Sequence, residues 1–418
     1  MIYVMPKIKN VLPTLFLMVL LDQVAFGILL PIMSLLFVES HSAYFLLNNS
    51  EQVHTIGYLL LGLLFATFPF AQFIAAPVLG EFSDKFGRKP ILVFAVVCIT
   101  AAYALFAGGI ILRNIPLLFL ARMLSGIGGG SVGAIFASAA DISTASARTK
   151  NFGIIASASG LGLILGPLIG GILSDSSIVP FFNLLTPLYA LAFLGVLNLL
   201  IVTIWFPETH KTPDHMRRIT WLRSLLHIRE SYRNKNLRGI FLVSFLFSVC
   251  LSLFLTFGSV VVLQRFSLSQ TSLSYFLGYF GFWIIVTQLG LIRLLLHIAR
   301  EEIILRDSLL GIAVGLLMLY FVPSLPWLLL ITSVLSLSVS LSYTMITSLL
   351  SDRSPAEKQG EMLGINTSVQ SLAQAIPALF SGLVAASVSV DAPIIVGVIF
   401  AAGAGVYVFT SKKFYSNH

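Results

Sequence analysis

Apolar runs of about 20 residues recur along this chain, separated by short polar breaks, and a run of that length crosses a bilayer as a helix. Twelve such helices are predicted, at 11–37, 55–79, 91–112, 117–141, 152–173, 184–206, 237–263, 271–292, 307–323, 327–350, 362–386 and 393–410. One long polar segment parts six helices from six. The expected organisation is an N-terminal half over 1–206, a central loop over 207–236 and a C-terminal half over 237–418. Within the loop, Trp221, Leu222, Leu225, Ile228 and Tyr232 recur at helical spacing between Arg223, Arg229 and Arg233. That pattern reads as an amphipathic helix on the membrane face or as a solvated linker. The fold class is therefore an all-α membrane protein of two pseudo-symmetric six-helix bundles.

Composition agrees. The 418 residues are 57% hydrophobic and 10% charged, and the mean hydropathy of +0.96 would expose apolar surface everywhere on a soluble domain. The net charge of +8 invites a nucleic-acid partner, but its placement excludes one. If the N-terminus is cytoplasmic, all the lysines and arginines except Arg113, Arg122 and Arg265 fall in inside segments. This is the positive-inside rule, and it puts both termini in the cytoplasm. The expected location is the plasma membrane, the inner one in a Gram-negative cell, with no cleavable leader. Cys98 and Cys250 lie in apolar spans and read as packing residues, not as a disulfide or metal pair.

Between the second and third runs stands GEFSDKFGRKP, Gly80–Pro90. Gly80 would permit close helix approach, and Gly87 suits a tight reversal. Asp84 suits the positive end of a neighbouring helix, and Arg88 can bind a carboxylate bidentately. The string resembles the loop between helices 2 and 3 of the major facilitator superfamily of transporters. That resemblance implies that Asp84 meets the start of helix 11, that Arg88 meets Asp141, and that the cluster latches the two halves on the inner side. A shift of 211 residues lays Asp141–Gly153 on Asp352–Gly364, as parallel repeats would. The same shift lays the loop on Leu291–Glu301, which lacks both the glycines and the Asp.

Two further strings extend the resemblance. Arg122 precedes Gly126, Gly128, Gly129 and Gly130 in helix 4, and Asp22 stands nine residues before Pro31 in helix 1, as in tetracycline-type antiporters. Counting rise per residue from the helix ends, the two charges differ in depth by about 6 Å, within reach of an Arg side chain. A carboxylate facing a buried Arg can serve as a proton switch or as a static structural pair. In helix 5, Gly162, Gly166, Pro167, Gly170 and Gly171 resemble the Gly-Pro motif of drug:proton antiporters. Close helix packing alone would explain the same glycines. Pro207-Glu208-Thr209 after helix 6 fits the same branch.

The second half departs from the tetracycline-type pattern, with no acidic residue well inside helices 7, 8, 10, 11 or 12. It carries neutral polar stripes instead. Ser244, Ser248, Ser252 and Thr256 lie on one face of helix 7; Ser336, Ser340, Tyr343, Thr344 and Thr347 on helix 10; Asn366, Gln370 and Gln374 on helix 11. Ser248, Ser252, Tyr343, Asn366, Gln370 and Gln374 are the candidates for a substrate cavity, with interhelical hydrogen bonding as the alternative. Thirty-three Phe suit an apolar cavity with a few polar anchors.

No histidine among His41, His54, His210, His215, His227 and His297 lies deep in a span or in a nucleophile–base arrangement, so an enzyme is not expected. No metal or cofactor is implied. The expected function is a monomeric secondary transporter, exporting a small amphipathic drug or metabolite against protons by alternating access. The alternatives are an importer of a nutrient, metabolite or siderophore, and a non-transporting receptor.

Overall fold

The computed structural model describes residues 10–39, 42–47, 53–210, 237–266, 268, 270–354, 359–411 and 414. Among the described residues, twelve long helical runs follow one another: α1 (Val11–Phe37), α2 (Val53–Phe86), α3 (Arg88–Ile111), α4 (Ile115–Asp141), α5 (Ala145–Ser174), α6 (Thr186–Trp205), α7 (Arg238–Phe266), α8 (270–298), α9 (Glu301–Tyr320), α10 (Leu325–Asp352), α11 (Gln359–Ser387) and α12 (Ala392–Thr410). Among the described residues, 11 of these are long and apolar enough to cross a membrane; α8 contributes a shorter apolar stretch, Tyr275–Val286. The amphipathic helix expected around Trp221–Tyr232 lies outside the described residues.

Three runs are not plain α-helix. The pieces Ile115–Gly129 and Val132–Asp141 of α4 are parted by a turn at Gly130–Ser131. Single π turns interrupt α7 at Phe254–Gly258 and α8 at Thr287–Leu291. Such turns re-aim the side chains that follow them.

Two expectations about boundaries are corrected. The eleven-residue loop Gly80–Pro90 contracts to one residue: helix α2 runs through Phe86, α3 begins at Arg88, and only Gly87 departs, at φ 102°. A positive φ of that size is where glycine is needed. Helix α9 begins at Glu301, ahead of the expected 307, because its first turn carries Glu301 and Glu302. Acids there complement the helix dipole, although hydropathy alone excludes them.

Helices α1 and α5 pack closely, as do α9 with α12 and α3 with α4. The first six helices meet the last six mainly along α2–α11 and α5–α8. At the end away from Gly87 the α2–α11 seam is tight. A Cβ on Gly62 would lie 2.6 Å from the Ala378 carbonyl oxygen, and one on Gly382 would lie 2.5 Å from that of Tyr58. Gln264 donates to the Tyr58 hydroxyl at 2.9 Å, and Ser34 and Ser259 approach to 3.4 Å across α1 and α7. Arg265 joins α7 to α9 and α12 there, through the Leu319 and Tyr320 carbonyls and Asp391 at 2.9 Å.

Candidate functional site: a central cavity and a loop-end staple

A cavity of about 250 Å³ lies between the two sets of helices. Its polar lining includes Asp22 and Gln23 from α1, Gln72 from α2, Tyr103 from α3, Gln288 from α8, Tyr343 from α10, and Asn366, Gln370, Ser371 and Gln374 from α11. Phe26, Phe68, Phe136 and Phe247 supply aromatic surface. On α11 and α10 the lining residues lie toward the helix ends nearest Gly87, while the opposite end is sealed by the Gly62–Gly382 contact.

Ser248 and Ser252 are corrected: neither lines the cavity. The cavity face of α7 is Phe247, Leu251 and Leu255, and the serine face turns against α11. There Ser252 donates to the Gln374 carbonyl at 2.9 Å, and Gln370 donates to Ser244 at 3.4 Å. A one-residue change of helical phase exchanges core and cavity.

Asp22 and Arg122 lie close enough for their charges to interact, with Tyr103 a third member of the group. The expected ion pair is nevertheless open. Arg122 is 2% exposed and its Nε and Nη2 have no hydrogen-bond partner. Its guanidinium lies over the Phe68 ring instead, 4.9 Å from the centroid. Glycine explains why Phe68 can take this position. A Cβ on Gly126 would lie 2.4 Å from the Phe68 carbonyl oxygen, and one on Gly129 would lie 3.0 Å from the ring. The Gly-rich stretch of α4 thus admits α2, and α2 brings the aromatic face that Arg122 uses.

On α5, Gly162, Gly166 and Gly170 form one face against α1. Added Cβ atoms would lie 2.5 Å from the Gln23 Cβ, 2.4 Å from the Val24 carbonyl oxygen and 3.2 Å from Ile28, respectively. Pro167 and Gly171 are buried in the same helix. This is close backbone packing of small residues at i, i+4, i+8, and it holds Asp22 at the cavity wall.

At the loop end Arg88 is 6% exposed and joins three partners: Asp84 at 2.7 Å, Asp141 at 3.1 Å and the Ser83 hydroxyl at 2.9 Å. Glu208 completes the group by accepting from the backbone amides of Arg88 at 2.8 Å and Lys89 at 3.0 Å. It is an N-terminal cap for α3. Thr209 donates to Asp141 at 3.3 Å. These partners all come from α2, α3, α4 and the segment after α6, so the Arg88 pairs bind helices of the N-terminal half to one another. The expected meeting of Asp84 with the start of α11 involves side chains outside those described. Gly80 is corrected: among the described residues no atom lies within 4 Å of a Cβ placed on it, so no described helix approaches it closely.

The C-terminal half carries a counterpart with the charges exchanged. Arg353, after the last residue of α10, pairs with Glu302 in the first turn of α9 at 2.8 Å and donates to the Phe414 carbonyl at 3.0 Å. Sequence comparison at a fixed shift missed it because acid and base have traded helices. Tyr103, Gln72 and Gln288 were missed as well. Their only signal is a polar atom in the middle of an apolar run.

Comparison with known proteins places this architecture. The chain is 36% identical over 197 residues to the class B tetracycline resistance protein of Escherichia coli, spanning 47% of this chain and 44% of that one. In that match the chain thus spans under half the relative's length. It is 26% identical over 373 residues to the class G protein of Vibrio anguillarum, 88% of each chain. It is also 26% identical over 410 residues to major facilitator superfamily domain-containing protein 10 of Mus musculus, 88% of this chain and 85% of that one. Among solved structures, the human organic anion transporter MFSD10 (TETRAN) superposes with a TM-score of 0.72 at 22% identity, over 96% of this chain and 100% of that one. A partially occluded inward open conformation of the xylose transporter XylE from E. coli gives 0.74 at 16%, over 96% and 98%. The Major Facilitator Superfamily profile matches residues 15–377 and 304–416. With twelve helical runs around one central cavity and that profile covering most of its length, the chain belongs to the major facilitator superfamily.

Proposed function

We propose that this protein is a secondary active transporter that exports a small amphipathic compound in exchange for protons, by alternating access. The observation that carries the reading is the open pair at the cavity: Asp22 lies on the wall, while Arg122 is fully buried with two unpartnered guanidinium nitrogens. A buried guanidinium short of partners is a poised arrangement, since closing on a carboxylate would satisfy it. Asp22 would then hold a proton while the pair is open and release it as the pair closes. Tyr103 stands beside them on the cavity wall, where its hydroxyl would offer a hydrogen bond to carrier or cargo.

The substrate would bind among Tyr343, Asn366, Gln370 and Gln374 with its apolar part on the phenylalanines. Export is favoured by the similarity to tetracycline resistance proteins. The same machinery run as an importer of a nutrient, metabolite or siderophore is the alternative direction. In this reading the halves are 1–206 and 237–418, both termini face the cytoplasm, and Asp84, Arg88 and Asp141 with Gly87 hold the inner end of the N-terminal half as it rocks. The protein works as a monomer in the plasma membrane.

Proteoliposomes carrying Asp22→Asn test the coupling. Substrate-driven proton movement should vanish while the protein remains folded; unchanged coupling would rule out Asp22 as the proton carrier. Direction is tested by deleting the gene: the substrate accumulates in cells that lack an exporter and is depleted in cells that lack an importer.

A further inference from the structure

The turn at Gly130–Ser131 divides α4 into a piece that carries Arg122 and a piece that ends on Asp141. Gly129, the last residue before the turn, has its carbonyl oxygen bound by Gln72 Nε2 at 3.0 Å. The other end of the same amide, Gln72 Oε1, accepts from the Ser371 hydroxyl on α11 at 2.9 Å. Gln72 thus bridges the break in α4 to a helix of the opposite half, and both Gln72 and Ser371 lie on the cavity wall. The Ser371 hydroxyl has a second acceptor at the same distance, the Thr367 carbonyl one turn back, at 2.9 Å. One hydroxyl proton can fully serve only one of them.

This is a two-position element. If the halves part, the Ser371 hydroxyl keeps a partner by turning its proton to Thr367, whereas Gln72 Oε1 is left facing the cavity with no donor from α11. On the cavity wall that acceptor is open to water or to a donor of the bound substrate, either of which can take the place of Ser371. We propose that Gln72 is a positioning residue that couples the cavity to the rocking of the halves: its Oε1 exchanges the Ser371 hydroxyl for an N–H or O–H donor of the substrate. The inference rests on the transporter reading for its purpose, and it assigns the cargo a hydrogen-bond donor at the Gln72 end of the cavity.

The test reads conformation and needs no cargo, so its failure is separate from failure of the transporter reading, which the Asp22 experiment addresses. Spin labels are placed at Phe86→Cys and Ile298→Cys, exposed positions at the Gly87 end of the two halves, in a background with Cys98 and Cys250 replaced. Distances are measured by pulsed electron resonance in nanodiscs. Gln72→Leu and Ser371→Ala should each change the ratio of near to far populations about threefold to tenfold, the worth of one interhelical hydrogen bond. The double variant should match the singles in this ratio, because each single already removes the one Gln72–Ser371 bond between the halves, while the Gln72–Gly129 bond that Gln72→Leu also removes lies within one half. Thr367→Val, which keeps the backbone acceptor, should leave the ratio unchanged. Thermal melts confirm that each variant is folded; an unfolded Gln72→Leu is replaced by Gln72→Met. Unchanged distances in folded variants, or effects of Gln72 and Ser371 that add, would overturn the proposal.

Discussion

Glu208 holds the backbone amides of Arg88 and Lys89, so a residue beyond the sixth helix caps the third. The only residue between α2 and α3, Gly87, lies directly beneath that carboxylate: a Cβ there would be 2.5 Å from Glu208 Oε2, on a backbone already at φ 102°. Cap and turn are therefore one unit. Glu208→Ala should destabilise the protein by about 1 kcal/mol, the usual worth of a helix cap. Gly87→Ala should cost about 1–3 kcal/mol through backbone strain and the clash. Thermal unfolding in detergent measures both; a Gly87→Ala variant as stable as the parent would contradict the geometry.

The two loop-end arginine clusters predict a paired outcome. Arg88 joins Asp84 and Asp141, and Arg353 joins Glu302 and the Phe414 carbonyl. Replacing either arginine with Ala should lower stability and transport together. Arg300 is exposed and merely precedes α9, so Arg300→Ala should be nearly silent, as surface changes usually are. The exchange Glu302→Arg with Arg353→Glu should recover part of what either single change loses.

Arg122 lies over the Phe68 ring with its Nε and Nη2 unpartnered. Phe68→Leu removes a cation–π contact of about 1–2 kcal/mol at a desolvated site, and the freed guanidinium should turn to the carboxylate. A carboxylate paired with a cation gives up its proton more readily, so the pH midpoint of transport should move down. A midpoint that stays in place, with the variant folded, would show that Phe68 does not position Arg122.

Glycine substitutions on α5 separate packing from tolerance. Gly166→Ala would place a methyl 2.4 Å from the Val24 carbonyl oxygen, whereas nothing lies within 4 Å of the same atom on Gly160. Gly166→Ala should cost about 1–3 kcal/mol by overpacking, and Gly160→Ala should be neutral or slightly stabilising. Unfolding midpoints of the two variants make the comparison.

Helix positions and family were legible in the sequence because hydropathy and charge patterning act over twenty residues at a time. The contents of the cavity were less so. Asp22, Tyr343, Asn366, Gln370 and Gln374 reach its wall, but Ser248 and Ser252 do not, because a polar stripe does not say whether it faces a neighbour or a void. Arg122 and Asp22 were paired by depth, yet a ring from α2 that no depth count includes lies against the guanidinium. The second staple was hidden because a repeat search compares residue with residue, while Glu302 and Arg353 preserve only the contact and not the sign at each position.

Gly62 and Gly382 meet with bare backbone on both sides. A joint made of side chains can loosen by rotating one of them; a joint made of main chain must separate as a whole. At the Gly62–Gly382 contact no side chain can rotate aside, and a single methyl placed in it would act as a wedge. Gly62→Ala or Gly382→Ala, neither of them among the residues that line the cavity, offers a way to bias the protein toward its opposite posture for study.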